Sequence, residues 1–399
     1  MPKIFDIIVV GAGIVGLTVS AELLKRQPRA RLAVLEKEPE AGLHASGRNS
    51  GVMHSGIYYG SDTFKAKFCA SGARRMIEFA RAEDIAVKQC GKVILATAEE
   101  QLPTVDKLMR NAHENGIRAE RIDSQQLAEL EPHAAKCVTA IYCPDTAVID
   151  SSAVVNRLKE KLALSGVEFI FNCQVNGAHG KGFIQTSHGE IGYGYLINCA
   201  GAYADVLARY FGLGEDYALV PFKGIYWKLS EPSNYKVRAN IYPVPDVSMP
   251  FLGIHFTRVI SGEVYVGPTA IPALGRENYG IFQGIGLSES LNIGLQLAGM
   301  YWRNENNFRK LAHGEMGKYR KSNFLVAARR LLPTLEVTDM VPTDKAGIRP
   351  QLVNVKTRKL EMDYILASTD HSMHVLNAIS PAFTCGFSFA ERIADEAGL

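Results

Sequence analysis

Three observations place this 399-residue chain in the α/β class. A strand, a glycine loop, a helix and a second strand open it; strand and helix patterns that extend the same sheet recur later; and aromatic-rich strands lie in between. The expected architecture is a discontinuous Rossmann-like nucleotide-binding domain joined to an α+β substrate domain built on an antiparallel sheet.

The opening unit is the firmest element. The hydrophobic run IIVV enters GAGIVG at Gly11–Gly16, and the second strand, RLAVLEK, ends in Glu36 and Lys37. Gly11 permits a tight strand-to-helix turn, Gly13 lets backbone approach a pyrophosphate, and Gly16 allows close helix packing. Ile14 and Val15 begin the helix whose N-terminus faces the anion. Glu36 stands where a ribose hydroxyl needs an acceptor. Asp6 and the three glycines interrupt the early apolar run, so a cleaved secretory signal is not expected.

Composition narrows the field. A hydrophobic fraction of 47% at this length supports a large core and two or three domains. The net charge of +3, with no basic tail, excludes nucleic acid as the expected partner. Seven scattered cysteines without a CxxC pair argue against a disulfide framework or a metal site and for a reducing, cytoplasmic setting. No run of eighteen apolar residues suggests a spanning helix.

Beyond Lys37, Ala41–Tyr59 lacks helix or strand period and reads as a functional loop. Helices are expected over Lys65–Glu83 and Leu102–Asn115, with strand material over Val87–Ala98 between them. Ser151 or Ser152 is expected to cap a helix through Leu164, followed by the strand VEFIFN and the segment Tyr195–Ala204. Aromatic strands at Gly224–Ser230, Phe251–Thr257 and Glu263–Thr269 form the second sheet. A basic helical stretch, Leu287–Leu332, follows, and from Gly347 the chain returns to the first domain. The nucleotide-binding domain is thus expected from residues 1–85, 148–217 and 336–399, and the substrate domain from 86–147 and 218–335.

Blocks spread over almost the whole chain carry a family likeness: Ser46–Tyr59 (SGRNSGVMHSGIYY), Lys65–Met76, Asn240–Asp246 (NIYPVPD), FLGIHFT, GIRPQ and His374–Thr384. The chain resembles the FAD-dependent oxidoreductases of the D-amino-acid-oxidase superfamily, and within it the branch acting on L-2-hydroxyglutarate. The resemblance implies one bound FAD, consistent with a single GxGxxG and no second nucleotide motif. It implies flavin contacts at His44, Ser46, Asn49, Ser50, Gly51, Val175, Ala200, Gly201, Gly347 and Ser380, Pro381, Ala382, Phe383 and Thr384. The last five open a C-terminal helix whose N-terminus would favour an anionic reduced flavin.

Oxidising a 2-hydroxy acid needs a base and a cation. Among ten histidines, His54 is the expected base, because its glycine-flanked loop has no apolar period to justify a core role. His255, on an aromatic strand, is expected to orient substrate or hydrogen-bond a carboxylate, and His374 to pack a strand near the cofactor. Arg349 offers a planar fork for a carboxylate. Lys223, Tyr226 and Tyr58 are candidates for a second carboxylate, and Thr384 for substrate contact. The expected reaction is oxidation of L-2-hydroxyglutarate, with electrons passed to quinone or oxygen. Arg309, Lys310, Lys318, Arg320, Lys321, Arg329 and Arg330 form a solvated face or a peripheral contact with an anionic membrane. The rival readings are an amine oxidase of the glycine or sarcosine type and a noncatalytic FAD-containing subunit or redox sensor.

Overall fold

A computed structural model describes residues 2–179, 182–246, 251–304 and 307–399. Lys3–Val10 lies inside an eight-stranded sheet, parallel to Leu32–Leu35 on one side and Gly189–Asn198 on the other. Glu168–Ile170 extends the sheet beyond Leu32–Leu35, and Ser372–Asn377 runs parallel beside the end of Gly189–Asn198. The four residues Ile7–Val10 are all buried, as expected of a parallel strand covered on both faces.

The helix Ile14–Arg26 packs against the C-terminal helix Ala382–Glu396, which also meets Phe64–Ala82. Glycine sets both approaches: a Cβ on Gly16 would stand 1.9 Å from the Gly11 carbonyl oxygen, and one on Gly72 would stand 2.7 Å from that of Thr384. The expected helix after residue 150 spans Ser151–Leu164, but Asp150 caps it, accepting the Ser152 and Ala153 N–H groups. Its carboxylate reaches both amides where the serines are already inside the first turn.

A nine-stranded sheet forms the second layer. Tyr217–Leu229 and Met340–Asn354 pair antiparallel over most of their lengths. The expected return of the chain at residue 336, or at Gly347, is therefore displaced: Met340–Asn354 belongs to the second sheet, and the first is rejoined at Ile365–Thr369, beside Ser372–Asn377. The second sheet is antiparallel except where Asn240–Pro243 runs parallel to Lys92–Ala96. Val87–Ala98 is two strands, because Val87–Gln89 turns away to join Val52–Met53 and Ala147–Ile149 in a small third sheet. That sheet supports the 41–59 loop. Among the described residues, no helix is long and apolar enough to cross a membrane.

Candidate active site

One cavity of about 780 Å³ runs from the glycine loop to the second sheet. At its nucleotide end Gly11 adopts φ +105°, and a Cβ there would meet the Cys199 carbonyl oxygen at 2.5 Å. Gly13, Ile14 and Val15 line the wall beside it. The Ser46 hydroxyl accepts the Ile14 N–H at 2.9 Å, tying the 41–59 loop to the helix N-terminus. Glu36 is held by two backbone donors, Ala12 at 2.8 Å and Glu38 at 3.0 Å, which fix its carboxylate at the cavity edge.

Lys37 and His44 also line this end, within a network of side chains. Lys37 pairs with Glu38 and, at 2.6 Å, with Glu277; His44 meets Glu38 at 2.9 Å and the Tyr279 hydroxyl at 2.7 Å. Burial pulls the Lys37 pKa down, but hydrogen bonds to Glu277 and Glu38 outweigh it and hold the ammonium above its usual range. Glu38, His44 and Glu277 are spaced as metal ligands would be, yet the Lys37 ammonium already bridges the two carboxylates.

Asn49 and Ser50 line the middle of the cavity with Val175, Ala200 and Gly201. The Asn49 amide donates to the Ser46 carbonyl at 2.6 Å and its side-chain oxygen accepts the Gly51 N–H at 2.8 Å. Gly51 itself faces away: at φ +71° its absent Cβ would strike the Ile149 carbonyl oxygen at 2.3 Å. Gly16 is likewise a packing position. Neither lines the cavity: Gly16 packs as the sequence expects, and Gly51, expected among the flavin contacts, lies outside the cavity wall. Gly347 and the five residues Ser380–Thr384 do line it, so the N-termini of two helices address one space.

At the far end His54, Tyr58, Tyr226, Tyr242, Phe251, His255 and Arg349 come together from five separate segments. Burial, then the charges of Lys92, His255 and Arg349, push the His54 pKa down to about 3. Its imidazole is therefore neutral near pH 7. His255 stacks on Tyr242 with ring centroids 4.0 Å apart, and its Nδ1–H donates to the Gly253 carbonyl at 2.9 Å. Burial brings its pKa to about 4, so the neutral ring has a lone pair on Nε2 and no second N–H. In that state it can accept from a hydroxyl, and donating to a carboxylate would require a proton on Nε2. Among the described residues, Arg349 spends one N–H on the Thr269 carbonyl at 3.2 Å and leaves the rest of its fork available.

Lys223 does not join this group. Its ammonium is buried on the other side of its strand, donating to the Gly280 carbonyl at 2.7 Å and to Asn278 at 3.4 Å. Strand alternation puts Gly224 and Tyr226 on the cavity side and Lys223 opposite. His374 is fully buried between Asn198 and Ser372, outside the cavity wall. Sequence reasoning misses Tyr242, inside the NIYPVPD block, and Lys92. Tyr242 has a signal in that block; Lys92 has none beyond its place in an apolar strand.

A Cβ-free turn, an N-terminal helix amide, an anchored acid one strand away and a second helix N-terminus fit the pyrophosphate, ribose and flavin of FAD. Fold and site together define a flavin-linked oxidoreductase. The chain belongs to the DAO family, FAD dependent oxidoreductases, whose family model matches residues 6–396. It is 36% identical over 402 residues to the L-2-hydroxyglutarate dehydrogenase of Indibacter alkaliphilus, with 98% of each chain covered. Against the mitochondrial L-2-hydroxyglutarate dehydrogenase of Caenorhabditis elegans it is 36% identical, covering 100% of this chain and 94% of that one. Its fold matches the dithionite-reduced L-α-glycerophosphate oxidase of Mycoplasma pneumoniae with FAD bound, at a TM-score of 0.79 and 18% identity, covering 100% of this chain and 95% of that one.

Proposed function

We propose that this chain oxidises L-2-hydroxyglutarate to 2-oxoglutarate, with His54 as the base and Arg349 as the carboxylate anchor. The observation that carries the reading is a neutral imidazole and a guanidinium at one end of the cavity of a DAO-family chain. The substrate is inferred from relatives named for it and similar over nearly the full length. Bound FAD supplies the acceptor for the hydride from the substrate carbon.

The remaining steps belong to the chain. Arg349 grips the carboxylate next to the reacting carbon through the N–H groups not spent on Thr269. The substrate hydroxyl has one proton, so its O–H donates to His54, which takes that proton, while His255, stacked on Tyr242, walls the reacting end beside it. The substrate's negative charge offsets the fields of Lys92 and Arg349, which raises the proton affinity of His54 when substrate is present. Tyr58, Tyr226 and Phe251 wall the reacting end and exclude water.

Anaerobic titration tests the reaction. L-2-hydroxyglutarate should bleach the oxidised holoenzyme, whereas its D enantiomer, glycine and sarcosine should not. His54→Ala should slow flavin reduction by about 10²- to 10⁴-fold at unchanged flavin content. Bleaching by the amines alone would replace this reading with amine oxidation, and no bleaching by any of them would favour a noncatalytic flavoprotein.

A membrane quinone is the proposed electron acceptor, because of an apolar stripe on the helix Leu287–Arg303. Leu287, Leu291, Leu295 and Trp302 are 82%, 63%, 69% and 83% exposed, beside Phe282 at 84%. They recur at helical spacing on the face opposite the buried Ile293 and Met300. Several cations of the basic run are spent inside the chain: Lys318 on Glu315, Lys321 on the Met340 carbonyl, Arg329 on the Leu335 carbonyl. Arg309 lies next to the stripe, bonded to the Tyr301 and Trp302 carbonyls. Holoenzyme should pellet with anionic vesicles, and Leu291→Asp with Leu295→Asp should abolish this at unchanged bleaching. Failure of the wild type to pellet at low salt would remove the membrane contact.

A further inference from the structure

Lys92 begins the strand Lys92–Ala96 and has no exposed surface, yet among the described residues its ammonium has no hydrogen-bond partner. It stands over two aromatic faces, 4.7 Å from the Tyr58 ring centroid and 5.4 Å from that of Tyr242. Both rings line the cavity, whereas Lys92 lies behind them. The Tyr58 hydroxyl is also buried without a partner among the described residues. A buried lysine ordinarily pairs with a carboxylate, because an isolated charge in a low-dielectric interior is costly. The groups whose charges bear on His54 are Lys92, Arg349 and the His255 imidazole, all of them basic.

We infer that Lys92 is a positioning residue that selects a doubly charged substrate, its ammonium acting past Tyr58 and Tyr242 on the carboxylate remote from the reacting carbon. The inference rests on the dicarboxylate reading above. Arg349 answers one carboxylate of a five-carbon dicarboxylic hydroxy acid, and the fold supplies a second positive charge with no acid among the described residues paired to it. The tyrosine faces stabilise the cation through their quadrupoles, and the incoming anion completes the neutralisation. Desolvation lowers the Lys92 pKa in the absence of that anion, so binding of a dianion and retention of the lysine proton support each other. Keeping an uncompensated charge in the core lowers stability, which makes a purely structural role a poor account of it.

The experiment uses oxidised holoenzyme and two unreactive probes, glutarate and pentanoate, with binding followed by calorimetry and by perturbation of the flavin spectrum. Wild type should bind glutarate more tightly than pentanoate. Lys92→Met should shrink that preference by on the order of tenfold, the size of a through-protein interaction between unit charges, and leave pentanoate within about twofold. Its Tm without ligand should be equal or higher, since an unpaired buried charge has been replaced by a hydrophobic side chain of similar length. An undiminished preference for glutarate in Lys92→Met overturns the inference, and Lys92→Gln decides by the same ratio if the methionine variant does not fold. If L-2-hydroxyglutarate fails to bleach the wild type while the glutarate preference depends on Lys92, the proposed reaction falls and the charge selection stands. If it bleaches the wild type and the ratio is indifferent to Lys92, the reaction stands and the charge selection falls.

Discussion

The Thr384 hydroxyl accepts the main-chain N–H of His54 at 3.4 Å and donates to the Val52 carbonyl at 3.4 Å, so the first turn of the C-terminal helix is fastened to the imidazole loop. The same helix addresses the flavin end of the cavity with its N-terminus. One hydroxyl therefore registers the proposed base, His54, against the first turn of the C-terminal helix. Both bonds are long, and each contributes about 0.5–1.5 kcal/mol at most, but they set where the His54 loop stands against the helix. Thr384→Val should slow anaerobic flavin reduction about tenfold at unchanged flavin content, and Thr384→Ser should restore most of the rate. Stopped-flow reduction of the two variants measures this.

Gly11 and Gly13 are two residues apart and should fail differently. At Gly11 a methyl group would need φ +105° and would sit 2.5 Å from the Cys199 carbonyl oxygen, which is backbone and cannot turn aside. Gly11→Ala should cost roughly 1–3 kcal/mol and appear as a lower Tm of the apoprotein. Gly13 has φ −80°, and its added methyl would meet only the Ser46 hydroxyl, at 3.1 Å. Gly13→Ala should leave the apoprotein Tm nearly unchanged and weaken FAD instead, because the close approach to the pyrophosphate is lost. Thermal melts of apoprotein and fluorescence titration with FAD separate the two outcomes.

The contrast also marks what sequence can convey. Gly11–Gly16, Glu36 and the helices are local: the spacing of glycines, acids and apolar residues specifies their geometry over thirty residues or fewer. The pairing of Met340–Asn354 with Tyr217–Leu229 joins segments more than a hundred residues apart, and no local pattern distinguishes that partner from the first sheet. Lys223 and Lys92 show the same limit at a single side chain. Alternation tells that Lys223 and Tyr226 point to opposite faces of their strand, but only the assembled sheet tells which face is the cavity. Lys92 in KVILA has the look of an ordinary strand-end lysine until Tyr58 and Tyr242 close over it.

His374 gives the stability a direction with pH. It is fully buried, its Nδ1 accepts from the Asn198 amide at 3.1 Å, and its Nε2–H meets the Ser372 hydroxyl at 2.9 Å. Desolvation brings its pKa to about 4 from an ordinary 6.5. The unfolded chain therefore takes up a proton that the native chain refuses between those values. The neutral histidine's contribution is complete above about pH 6.5 and is lost as pH falls toward 4, a change of roughly 3 kcal/mol from this residue. His54 and His255 act in the same direction. Tm should fall on acidification from pH 7 to 4.5, less steeply in His374→Gln than in the wild type; equal slopes would assign the acid sensitivity elsewhere.

Lys223 should prove to be a residue of the nucleotide end. Its ammonium anchors Gly280 and Asn278, which lie in the same loop as Glu277 and Tyr279. Those two side chains reach Lys37 and His44 at the cavity edge, and Arg276 beside them is ion-paired with Asp205. Lys223→Met removes the anchor, although the Asn278 amide still donates to the Gly280 carbonyl at 3.0 Å, so the loss of stability should be limited to about 1 kcal/mol. The loop's hold on Lys37 and His44 loosens with it. The variant should therefore shed FAD more readily on dilution, visible as a several-fold rise in the FAD Kd, while the KM for L-2-hydroxyglutarate in the FAD-saturated enzyme stays within about twofold of the wild type. A KM that rises tenfold at saturating FAD would instead return Lys223 to the substrate, with an ammonium that leaves Gly280 when the second carboxylate arrives.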